Sequence, residues 1–259
     1  MGVARQWAER IAGTYCKVLP PKVIYWCRVA VMVPAFALAL SVLLVLSSCS
    51  TPAQLLMAAI PDGTLSTLLT HFEREPSSNR QRIAELEHRG AWVELAQFAD
   101  ENIDKDRSNA AWWMVAGYAY SQQKQHARAI QCFREMVRLE PDRADGWNLL
   151  AQEHRTVGDP QRAIAIVNNA LLVLRDSPAT LLILGDANSD LQRFEPAVRA
   201  YRQALDLDGG LAPAWVGLAR SYIRLGRASE AEEIARSLDK SHPQLAAAIR
   251  QEIAGARLR

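Results

Sequence analysis

Cysteine is scarce in this sequence. Its 259 residues hold four, Cys16, Cys27, Cys49 and Cys132, and no two stand in a CxxC pair, which removes the dithiol redox motifs from consideration. The five histidines, His71, His88, His126, His154 and His242, are scattered. None belongs to an HExxH pair, the spacing that sets two zinc ligands and a base on one helix face. Neither a GxSxG elbow nor a glycine-rich phosphate loop is present. An excess of one charge is missing as well, since 30 Lys and Arg stand against 28 Asp and Glu. A balanced chain lacks the basic face that nucleic acid requires. No segment alternates at period two strongly enough to argue for strands. These absences point away from catalysis, from a metal or dissociable cofactor, and from nucleic-acid binding.

What the chain does have is a ruler of 34 residues. Trp113, Trp147, Leu181 and Trp215 open four similar segments. Small residues follow four positions later, at Gly117, Ala151, Gly185 and Ala219, and sixteen positions later, at Ala129, Ala163, Ala197 and Ala231. The phase holds from residue 110 to 245 without insertion or deletion. A fixed period of this length implies stacked supersecondary units rather than one closed core.

Each unit contains two apolar-periodic stretches of about 14 residues, joined by a polar turn such as Val157-Gly158-Asp159-Pro160 or Leu225-Gly226-Arg227. Trp113, Ala116, Gly117 and Tyr120 show the helical spacing of a first stretch. Small recurrent residues let two helices approach closely, and the large openers are expected to fill the core beside them. Pro178 and Pro213 suit the first turn of first helices, with Ser177 as an N-cap, and Pro160 and Pro196 suit the start of second helices.

The pattern resembles the tetratricopeptide repeat (TPR). Residues 110–143 carry it most fully, with Trp113, Gly117, Tyr120, Ala129, Phe133 and Pro141. Residues 144–177 carry Trp147, Leu150, Ala151, Gly158, Ala163 and Ala170, with Arg175 in the usual proline position. Residues 178–211 carry Leu181, Leu184, Gly185, Ala197, Tyr201 and Ala204, and residues 212–245 carry Trp215, Leu218, Ala219, Tyr222, Gly226, Ala231 and Pro243. A degenerate copy precedes them over 76–109, with Ile83, Gly90 and Leu95 in phase. The resemblance implies an all-α fold: an α-solenoid of stacked helix-turn-helix units forming a right-handed superhelix. Within 64–109, Leu65, Leu68, Leu69 and Phe72 predict a helix that caps the degenerate repeat, and residues 246–259 predict a C-terminal capping helix through Ile249 and Ile253.

The front of the chain has a different character. Arg5, Arg10, Lys17, Lys22 and Arg28 precede a charge-free apolar run from Val29 to Leu46, which ends Leu46-Ser47-Ser48-Cys49. A basic start, an apolar run and a small-residue close read as a secretory signal. The last four residues resemble a bacterial lipobox, which implies a signal peptide over 1–48, a covalent lipid on Cys49 and a tether over 49–63. Three acyl chains would anchor the chain firmly, at about 0.8 kcal/mol per buried CH₂. In lipoproteins of the type the chain resembles, the residue after the cysteine helps select the membrane, and Ser50 there implies the periplasmic face of the outer membrane over the inner membrane. An uncleaved inner-membrane anchor stays open as the alternative, because the apolar run is long enough to span a bilayer. Removing 1–48 takes away five cations and one anion and leaves 25 Lys and Arg against 27 Asp and Glu. Cys132 is then the remaining thiol and is expected to be buried.

In the resembling family the first helix of each unit lines a concave groove. Projected here, that groove takes Met114, Tyr118 and Gln122, then Asn148, Gln152 and Arg155. Leu182, Asp186 and Asp190 follow from the third unit, and Val216, Arg220 and Arg224 from the fourth. Its expected occupant is a protein partner or extended peptide, bound through amides, arginines and an apolar contact. His154 and Trp112 are expected to be packing residues. The function implied is a membrane-tethered scaffold for an envelope machine such as a pilus, secretion or outer-membrane complex. A regulatory partner of a cell-wall hydrolase or synthase stays open beside it.

Overall fold

The helix-turn-helix unit implied by the 34-residue ruler recurs along the chain in a computed structural model, which describes Leu65 and residues 76–174 and 177–257. The expected signal peptide, Cys49, the tether, and Leu68, Leu69 and Phe72 lie outside the described residues. Among the described residues there are eleven helices and no strand. They are α1 Ser77–His88, α2 Trp92–Lys105, α3 Ala110–Gln122, α4 His126–Leu139, α5 Ala144–Thr156 and α6 Pro160–Val173, followed by α7 Pro178–Asp190, α8 Phe194–Leu207, α9 Ala212–Arg224, α10 Ala228–Leu238 and α11 Pro243–Arg257. Each helix packs on the next in sequence, and α5, α7, α9 and α11 also pack in succession. The result is an α-solenoid.

Punctuation residues set the helix boundaries. Asn109, Asp159 and Ser177 accept hydrogen bonds from the backbone N–H groups of Ala111, Arg162 and Thr180 and so cap α3, α6 and α7. Pro160 and Pro178 occupy first-turn positions whose missing N–H would be unsatisfied in any case. The terminal helix begins at Pro243, inside the fourth 34-residue unit, rather than at the expected 246. Proline is pre-set for the first helical turn, so the chain starts the helix there.

The turn inside each unit is a repeated backbone motif. Gly90, Lys124, Gly158, Gln192 and Gly226 all have φ between 58° and 81°, and they stand 34 residues apart. In the unit of α3 and α4, Lys124 N–H bonds to Ser121 O and Gln125 N–H to Tyr120 O; Gly158 and Asp159 repeat this with Arg155 and His154. That is the Schellman arrangement, which satisfies the last carbonyls of a helix by turning one residue left-handed.

Small residues on the first helices admit large rings from the second. A Cβ at Gly117 would stand 2.5 Å from Phe133 Cε1, and one at Gly185 would stand 2.5 Å from Tyr201 Cε1. The Tyr201 ring also abuts Gly217, so it is wedged between α7 and α9. Trp112 is buried and meets Phe98 edge to face at 5.3 Å. Leu65 is fully buried, and its N–H donates to Glu87 Oε1 at 2.9 Å.

The tryptophan openers depart from expectation. Trp113, Trp147 and Trp215 are half-buried rather than interior. Each indole N–H donates to the carbonyl six residues earlier: Arg107 at 3.0 Å, Pro141 at 2.8 Å and Gly209 at 2.9 Å. An indole has one donor that needs a partner when it is desolvated. The openers therefore sit at the edge and clamp the loop entering their own unit, while Leu181, with no polar atom, is buried.

Candidate binding groove

The projected groove residues divide sharply by environment. Met114, Tyr118, Asn148, Gln152 and Leu182 are buried, so these positions are not open to guest contact in the way the groove projection implies. Helix-to-helix packing along the array covers them. Tyr118 meets Trp92 edge to face at 5.8 Å, and burial, then the Glu87 carboxylate, raises the pKa of its hydroxyl. Asn148 Oδ1 accepts from Thr180 Oγ1 at 2.8 Å, which ties α5 to α7. Its amide oxygen is thus committed inside the protein. Gln122 is half-buried at the end of α3.

Arg155 gathers three of the projected residues around itself. Its Nη1 donates to Asp186 Oδ2 at 2.9 Å and to Gln152 Oε1 at 2.8 Å, and its Nε donates to Asp190 Oδ2 at 2.8 Å. Asp186 Oδ1 also accepts the Tyr201 hydroxyl at 2.7 Å. The Arg155 side chain is only 10% exposed. Burial pushes the Asp186 carboxyl up, against the opposing pull of Arg155 and the Tyr201 hydroxyl. This network joins two units and commits the Nε and Nη1 of Arg155 within the chain.

The fourth unit is more open. Arg220 forks onto Glu252 of α11 with contacts of 2.7–3.0 Å. Glu252 was not among the projected groove residues. It belongs to the terminal helix, beyond the four units from which the groove was projected. Arg224 is exposed, and its guanidinium lies 5.0 Å above the Phe194 ring. Among the described residues no carboxylate pairs with it. A cavity of about 900 Å³ opens here, lined among others by Asp190, Phe194, Arg220, Ile223, Arg224 and Glu252. The site can take an anion at Arg224 beside an apolar group against Ile223 and Phe194.

Other polar clusters are structural. The fully buried Glu153 of α5 accepts from Ser121 Oγ at 2.8 Å and meets His126 Nδ1 at 2.6 Å. The carboxylate stands between the serine and the histidine, so this is not the nucleophile–base contact of a hydrolase. His154 is buried, and burial, then Arg134, depresses its pKa. Cys132 is buried, and burial pushes its thiol up to about 12, which makes it a packing residue rather than a nucleophile.

Profiles of the tetratricopeptide repeat match residues 110–153, 148–211 and 190–253. Together they cover more than half of the chain, and the chain belongs to the tetratricopeptide-repeat family. This fold is a scaffold for protein–protein interaction. Protein bimA of Emericella nidulans is 27% identical over 157 residues, 61% of this chain and 15% of that protein. The tetratricopeptide repeat-containing protein trd-1 of Caenorhabditis elegans is 26% identical over 96 residues, 37% of this chain and 12% of that protein. The chain therefore spans only a small part of either relative. MamA from Desulfovibrio magneticus RS-1 matches at a TM-score of 0.55 and 15% identity, over 70% of this chain and 96% of that one. YrrB, described as a TPR protein with an unusual peptide-binding site, matches at 0.51 and 15%, over 73% and 98%. At these identities the structural likenesses establish the fold.

Proposed function

We propose that this protein is a lipid-anchored periplasmic scaffold that holds a partner protein at the outer membrane during assembly of an envelope machine. The cavity beside Arg224 carries the partner-binding part of this reading. Arg224 offers an exposed guanidinium over an aromatic ring, whereas Arg155 and Arg220 are already paired within the chain. The guest best suited to it is a peptide segment presenting a carboxylate next to an apolar side chain. YrrB, with its peptide-binding site, supports such a use of this fold.

The anchor rests on the sequence Leu46-Ser47-Ser48-Cys49 after an uncharged run. The uncleaved inner-membrane anchor is the second reading, favoured by the length of the uncharged run from Val29 to Leu46. Labelling with radioactive palmitate separates the two. Incorporation into the wild type and none into Cys49→Ala is expected; absence of label from both, with unchanged mobility, would sink the lipid anchor.

Affinity capture from solubilised membranes with wild type and Arg224→Glu tests the partner site. Secretin, pilus or outer-membrane assembly proteins are expected with the wild type and lost with the variant. Recovery of cell-wall hydrolases or synthases instead would replace the assembly reading with a regulatory one. Crosslinks confined to the second helices would reject the groove as the binding site.

A further inference from the structure

Another cavity, of about 480 Å³, opens between α8, α9 and α10 and shares no lining residue with the one beside Arg224. Part of its wall is apolar. Leu205, Leu218 and Ile234 are buried, and the Trp215 indole donates its N–H to Gly209 O, so it offers the cavity only ring surface. Acids line another part. Asp206 and Glu233 are exposed there, and among the described residues neither has an ion-pair partner. The repeat does not require an acid at Glu233, since the earlier units hold Gln131, Ala165 and Arg199 at that register.

A buried hydroxyl in the same wall lacks a partner. Tyr222 lines the cavity and is 2% exposed, and its hydroxyl makes no hydrogen bond among the described residues. Three units earlier, the equivalent Tyr120 hydroxyl donates to Asp100 and accepts from Arg128. At the positions equivalent to those two partners stand Arg202 and Glu230, with the charges reversed. Arg227 Nε and Ser229 Oγ take Glu230, at 2.5 and 2.7 Å, so the closed arrangement around Tyr120 is not rebuilt. A desolvated hydroxyl without a partner is costly, which marks this wall as incomplete in the chain alone.

We propose that this cavity receives an arginine or lysine side chain from a partner protein. The cation is held by Asp206 and Glu233, one of its N–H groups supplies the Tyr222 hydroxyl with its missing partner, and its aliphatic stem packs on Trp215 and Ile234. An acidic guest is disfavoured. It would find Arg202, the one cation among the lining residues, against Asp206, Glu230 and Glu233. A purely apolar guest would leave both free acids and the hydroxyl unpaired. Complementary charge therefore selects a basic segment. The site does not depend on the groove beside Arg224.

The test uses the full chain in neutral detergent and two fluorescein-labelled peptides, one of alternating arginine and glycine and one of alternating glutamate and glycine. Fluorescence anisotropy is read at about 0.15 M salt, where long-range attraction is screened. The basic peptide is expected to bind about tenfold more tightly than the acidic one. Asp206→Asn combined with Glu233→Gln should remove that preference. Arg202→Gln should tighten the basic peptide, because it takes the repelling charge from the wall. Tyr222→Phe should weaken it severalfold and leave the thermal midpoint unchanged or higher, since the hydroxyl has no partner within the chain. Equal binding of the two peptides would overturn the proposal, as would an unaltered preference in the Asp206→Asn/Glu233→Gln variant. So would weaker binding of the basic peptide by Arg202→Gln, or full affinity in Tyr222→Phe. None of these substitutions touches Arg224, so the outcome is separate from that of the groove.

Discussion

Arg155 on α5 and Asp186 on α7, one unit apart, form a 2.9 Å ion pair that also holds Gln152, Asp190 and Tyr201 in place. The pair joins two units whose remaining contacts are mainly apolar. Removing the cation leaves the partly exposed Asp186 and Asp190 carboxylates close together without a counter-charge. Arg155→Met is expected to destabilise the array by about 2 kcal/mol, less than a fully buried pair would lose. Urea unfolding checks this, and a loss below 1 kcal/mol would show that the network is solvated rather than structural.

Gly117 marks the closest approach of α3 and α4. Its missing side chain is filled by Phe133, whose ring would stand 2.5 Å from an added Cβ. Gly117→Ala should cost about 2 kcal/mol through overpacking. The double variant Gly117→Ala/Phe133→Leu should recover part of that loss. Additive losses in the double variant would contradict the steric account.

The left-handed turn residues allow a paired test in opposite directions. Gly158 has φ 81° and open space around it, so Gly158→Ala strains only the backbone and should cost about 1 kcal/mol. Lys124 adopts φ 60° with a Cβ. Lys124→Gly should relieve that strain and raise the unfolding midpoint, a net gain of about 0.5 kcal/mol.

Burial depresses the pKa of His154 below its ordinary value of 6.5. The unfolded chain takes up that proton as pH falls through about 6.5, while the folded chain resists it. Stability should therefore drop below pH 6.5, and His154→Leu should remove that part of the drop. Unfolding midpoints from pH 7.5 to 5 for both proteins test the sign. A difference between them that stays constant with pH would refute it.

Much of the fold was legible because its determinants are local and periodic. Ser177, Pro160 and Pro178 announce helix starts through backbone chemistry that requires no distant partner. Gly158 and Gly226 announce turns in the same way. Lys124 and Gln192 adopt the same left-handed turn without a glycine to signal it, because the repeated unit imposes the conformation on them. Trp113, Trp147 and Trp215 were legible as openers but not as edge clamps, since the carbonyl that each indole meets depends on how the loop folds back.

The candidate groove was less legible. Helical phase places Met114, Tyr118, Asn148 and Gln152 on one side of the array, but phase does not say how closely adjacent helices pack over them. Nor does it show that Arg155 is already paired. Glu252 had no place in the projected groove because it belongs to the terminal helix, beyond the fourth repeat unit.

The sequence by itself determined the repeat, the helical class, the turn positions and the family, since each follows from short-range spacing of apolar, small and cap-forming residues. Only the tertiary structure decided which polar groups have chemistry to spare. Arg155 and Arg224 look alike in a list of groove arginines. One is held by carboxylates from the next unit and the other stands over Phe194 with an open side. That difference comes from distances between helices, which one chain's periodicity does not encode.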